Sequence, residues 1–97
     1  MKTITLSTGY MVDSEAGFLT KEDFKKYITP ILKNNFPKVY IWKFFEVDDV
    51  WHIQANFRKS DLVAFLLFLA KDQTSQSVDE AEVKEDATYL WTSSPEV

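Results

Sequence analysis

Residues 2–8 alternate, with Ile4 and Leu6 on one side and Thr3, Thr5 and Ser7 on the other. A period of two predicts a half-buried β-strand. Gly9 ends this strand or marks a bulge, Tyr10 to Val12 extend it, and residues 13–18 read as a loop. The period then lengthens: Phe24, Tyr27, Ile28, Ile31 and Leu32 recur at helical spacing. Thr20 stands where an N-cap belongs, and Asp23 three residues on completes a pair resembling a capping box. Leu19 and Phe24 are placed for a hydrophobic staple around that cap. Glu22 and Asp23 suit the positive end of the helix dipole. Pro30 breaks the pattern, because it removes a backbone donor and clashes with the preceding turn. The expectation is a kink near Thr29, or two short helices with Thr29 capping the second. Pro37 closes the segment.

Residues 38–47 (KVYIWKFFEV) and 50–57 (VWHIQANF) read as a β-hairpin turning at Asp48-Asp49 or a slightly longer loop. A two- or four-residue loop places Tyr40, Trp42 and Phe44 on one face with Trp51, Ile53, Ala55 and Phe57. Val39, Ile41, Lys43 and Phe45 then share the other face with His52, Gln54 and Asn56, whereas a three-residue loop flips one strand and ruins the match. Ser60 is placed to cap a second helix over 61–72, with Leu62, Phe65, Leu66 and Leu69 as its main stripe. Ala64, Leu67 and Phe68 point nearly the opposite way. The run 62–70 (LVAFLLFLA) is therefore apolar all round, more than an amphipathic helix on one core needs. Residues 73–88 look like a solvated acidic linker, and 88–92 (TYLWT) reads as one more short strand.

The fold class is α+β. With the last strand, the order is the ferredoxin-like βαββαβ, a two-layer sandwich with an antiparallel sheet whose first and third strands are central. Without it, a three-stranded sheet with two helices and a loose C-terminal tail remains. Residues 1–75 form a single α+β domain, and 76–97 form an acidic tail.

Composition narrows the chemistry. Ninety-seven residues, 45% of them apolar, suffice for one modest core. There is no cysteine, which excludes disulfides, thiolate zinc sites and thiol nucleophiles. The N-terminus lacks the apolar stretch of a signal peptide, and the run at 62–70 is about half a membrane span, so a cytoplasmic location away from membranes is expected. Residues 1–75 are nearly charge-balanced, while 76–97 carry six acids against Lys84. Arg58 is the only arginine, which counts against a nucleic-acid partner that is read by sequence.

Catalytic and cofactor motifs are lacking. Gly9 and Gly17 build neither a phosphate loop nor a dinucleotide fingerprint. His52, the only histidine, reads as a half-exposed strand residue on a polar face; a ligand or base role requires partners that only folding can supply. Glu46, Asp48 and Asp49 at the hairpin tip lack calcium-loop spacing and read as a solvated turn. The element order is shared with RNA-binding domains that stack bases on an open sheet. The third strand, however, lacks their glycine-and-aromatic signature.

What remains is surplus apolar surface: Val39, Ile41 and Phe45 on the outer sheet face, with His52 beside them, Ala64, Leu67 and Phe68 on the second helix, and Tyr89, Leu90 and Trp91 near the end. Either these groups cover one another, with the tail folded over the helix or paired with a sheet edge, or they form an interface. The expectation is a non-catalytic protein-interaction module, an adaptor or inhibitor, binding a protein partner or forming a homodimer, with no metal or cofactor. The alternatives are a phage- or plasmid-type inhibitor whose acidic surface mimics nucleic acid, and a weak binder of single-stranded nucleic acid on the open sheet face.

Overall fold

Among the described residues, three strands and three helices follow as β1 (Lys2–Met11), α1 (Lys21–Asn35), β2 (Tyr40–Val47), β3 (Val50–Phe57), α2 (Lys59–Gln73) and α3 (Glu80–Ser93). This computed structural model describes residues 1–74 and 76–96; the side chains of Ile41 and Trp42, one assigned to the outer face and one to the core, lie outside the described residues.

The class is α+β, and the sheet is antiparallel in the order β1-β3-β2. The element order is βαββαα, which corrects the ferredoxin-like expectation: residues 88–92 lie in α3 and not in a strand. The local cause is a second capping pair. The Asp79 carboxylate accepts the Glu82 backbone N–H at 3.2 Å, satisfying a free donor of the first turn. Val83, Ala87, Leu90 and Trp91 then fall on one face, where Ala87 is fully buried and the other three partly so. The tail is therefore not loose. With no fourth strand among the described residues, β1 is an edge strand, met on its outer side by an isolated antiparallel bridge between Lys2 and Glu96.

The helices lie on one side of the sheet. α1 meets it at β2, α2 meets it at β1, and α3 packs on α2 and reaches β1. This arrangement explains the all-round apolar character of α2. Leu62, Phe65 and Leu69 are buried toward the sheet, with the Phe65 ring against Phe57 and Phe36. On one flank Asp72 accepts from Tyr27 of α1, and on the other Lys71 pairs with Glu80 of α3 at 3.7 Å. A helix with neighbours on three sides needs three apolar stripes.

Thr20 caps α1 as expected, its hydroxyl accepting from Asp23 N at 3.2 Å. The staple differs: Leu19 is exposed, and Phe18 packs on Phe24 instead, with ring centroids 5.5 Å apart. α1 is one helix through Pro30, not two. Pro30 and Lys26 are both exposed, so water can satisfy the carbonyl that the proline leaves unpaired. α2 starts at Lys59, ahead of Ser60, with no side-chain cap. Arg58, Lys59 and Ser60 are exposed, so solvent serves the free donors there.

The hairpin turns on two residues, Asp48 (φ 50°) and Asp49 (φ 61°), the left-handed pair of a type I′ turn that aspartate tolerates. Phe44, Trp51, Ile53, Ala55 and Phe57 are all buried, as the facing argument requires. Tyr40 is not: it is 71% exposed and pairs with Asn56 on the outer face. The reason is a bulge between Ile41 and Lys43, whose extra residue reverses the alternation toward the start of β2. A second irregularity lies in β1 between Ser7 and Met11. There the buried Thr8 hydroxyl donates to Trp51 O at 2.7 Å and accepts from Tyr10 N at 3.2 Å, replacing lost ladder bonds. Gly9, at φ +82°, provides the left-handed residue of this bulge.

Candidate binding groove

α1 carries Lys21, Lys25, Thr29 and Lys33 four residues apart, so they line one side of the helix. The adjacent face is pinned to the core by Phe24, Ile28 and Leu32. The lysine side therefore overhangs the free edge of β2. Between α1 and β2 runs a groove of about 450 Å³. Its apolar floor comes from Leu32, Phe36, Val39 and Phe44, and its rim from Lys21, Lys25, Lys33, Lys43 and Tyr40. Among the described residues, no carboxylate lines it. The four lysines are exposed, while Leu32, Phe36 and Phe44 are buried. Positive charge thus surrounds an apolar trough, which fits a segment carrying both acidic and apolar groups.

The rim continues onto the outer sheet face. Lys43 Nζ lies 5.3 Å from the centre of the Phe45 ring, and Phe45 stacks at 5.5 Å on His52. His52 Nδ1 is 3.0 Å from Val50 O. Thr3 with Asn56 and Thr5 with Gln54 complete this face through hydrogen bonds of 3.0 and 3.3 Å.

A second polar cluster joins β1, α1 and α2 on the opposite flank of α1. The Tyr10 and Tyr27 hydroxyls both donate to Asp72 Oδ2, Tyr27 at 2.7 Å. Burial, then the hydrogen bond to Asp72, raises the pKa of the Tyr10 phenol well above its ordinary value, and the same two causes raise that of Tyr27. The phenols stay protonated donors, and the cluster acts as a clamp between elements.

The structure scatters the residues singled out from sequence. Phe45 and His52 meet on the outer sheet face, while the side chain of Ile41 lies outside the described residues. On α2, Ala64 is exposed, Leu67 is half-buried, and Phe68 packs against the core. On α3, Leu90 and Trp91 pack against the core, while Tyr89 is 77% exposed. α3 thus packs on α2 and covers part of its apolar surface, leaving Ala64 exposed. Lys21, Lys25 and Lys33 carry no sequence-based expectation, although their spacing in multiples of four along α1 is visible in the sequence.

Among the described residues, no three His, Cys, Asp or Glu side chains cluster to hold a metal ion, and no helix is long and apolar enough to cross a membrane. No protein-family model, curated protein or solved structure matches this chain.

Proposed function

We propose that this protein is a non-catalytic protein-binding module whose groove between α1 and β2 receives an acidic segment of a protein partner. The groove itself carries this reading: an apolar floor ringed by Lys21, Lys25, Lys33 and Lys43, with no lining carboxylate among the described residues. Lysine suits it, as a flexible point charge that meets carboxylates without a fixed planar geometry. A short acidic segment fits better than a long polyanion such as nucleic acid. The chain has a net charge of −4, which disfavours an extended negative strand more than a short segment held within the groove.

The test is fluorescence anisotropy with a labelled peptide in which glutamates flank a leucine and a tryptophan. Saturable binding that weakens with salt is expected, together with its loss in Lys25→Glu/Lys33→Glu. A peptide with lysines in place of the glutamates is expected not to bind. Absence of saturable binding, or equal binding by that double variant, refutes the reading.

A further inference from the structure

We infer that the acidic segment is α3 of a second copy of this chain, docked head-to-tail into the lysine groove; this rests on the groove being a protein-binding site. The outer face of α3 has the matching chemistry. Glu82, Glu85, Asp86 and Tyr89 are spaced three and four residues apart, opposite the buried Ala87. All four are exposed, and Tyr89 is 77% so. The one lysine of α3, Lys84, falls outside this stripe. The face thus presents carboxylates for the rim and an aromatic ring for the apolar floor, an arrangement that interface anchors favour.

The two faces do not meet within one molecule. α1 meets the sheet at β2, α3 reaches it at β1, and α2 lies between them. The Asp72–Tyr27 hydrogen bond joins α2 to α1, and the Lys71–Glu80 ion pair joins α2 to α3. Basic and acidic surfaces therefore lie at opposite ends of the helical layer. Because the two surfaces differ, the contact is heterologous, so it closes into a ring or extends as a chain. Rim charges in water are screened within about 8 Å at physiological salt, so the association is salt-sensitive.

Sedimentation velocity on the full chain, over a range of concentrations at low and high salt, tests this. The parent is expected to gain mass with concentration at low salt and to lose it at high salt. Lys25→Glu/Lys33→Glu and Glu82→Lys/Glu85→Lys are each expected to sediment as monomers with unchanged circular dichroism. Mixed together they are expected to associate again: the acidic α3 of the first enters the lysine groove of the second, and the reversed pair matches likewise. Tyr89→Ser is expected to weaken association without altering charge. A parent that stays monomeric throughout, or a mixture that does not recover, overturns the inference. If the parent is monomeric yet the acidic peptide still binds in a Lys25/Lys33-dependent way, the self-docking fails and the protein-binding reading stands. If the peptide also fails, both fall. Capture of a labelled single-stranded oligonucleotide by a monomeric parent, lost in the groove variant, likewise overturns both in favour of nucleic acid.

Discussion

Ala87→Leu tests whether α3 is a packed part of the fold or a solvated helix. Ala87 is 0% exposed and is the buried residue of α3. Leucine and alanine have similar helix propensities, so an unpacked α3 tolerates the change at almost no cost. In the packed arrangement the longer side chain meets α2, where Val63 and Leu66 already press on the core. Forcing extra methylenes into a filled site costs about 1–3 kcal/mol. For a domain of this size each kcal/mol lowers Tm by roughly 4–8 °C. The assay is urea unfolding followed by far-ultraviolet circular dichroism, with Ala81→Leu, the same change at an exposed position of α3, as control. The control is expected to stay within about 0.5 kcal/mol of the parent. If Ala87→Leu matches the control, α3 does not dock and the account of α2 as a helix enclosed on three sides is wrong.

Phe65→Ala removes a fully buried ring stacked on Phe57 and edge-on to Phe36, and is expected to cost about 3–5 kcal/mol in the same assay; a loss below 1 kcal/mol contradicts the packing. Gly9→Ala is expected to cost about 1–2 kcal/mol, because an alanine at φ +82° is strained. A Cβ there also meets the Gln73 amide, but that side chain can move aside, so Gln73→Ala is expected not to rescue it; full rescue places the strain in the contact. Stability is expected to fall as pH rises above about 10, since the unfolded chain then releases phenolic protons that folded Tyr10, and to a lesser degree Tyr27, retain. Urea midpoints from pH 8 to 11.5 check this, and an equal decline in Tyr10→Phe refutes it.

The sequence by itself determined what local periodicity encodes. Alternation placed Ile4, Leu6, Ile53 and Ala55 in the core, and the Asp48-Asp49 turn set the facing of Phe44 against Ile53. Thr20 and Asp23 marked the start of α1 because a cap is formed by neighbours in the chain. The pattern did not decide α3, which reads as a linker and a short strand, although Asp79 with Glu82 forms a capping pair and Val83, Ala87, Leu90 and Trp91 keep helical spacing. Its acidity favours a solvated reading, and only the apolar flank of α2 makes helix the lower-energy state. Tertiary structure alone decided the rest. The bulge that turns Tyr40 outward depends on how β2 lies against β3. The groove joins Lys21, Lys25 and Lys33 of α1 to Lys43 of β2, and no local pattern sets the distance between a helix and a strand edge. That distance is fixed by the buried rings beneath them, where Phe24 stacks on Trp51 and packs edge-on to Phe44.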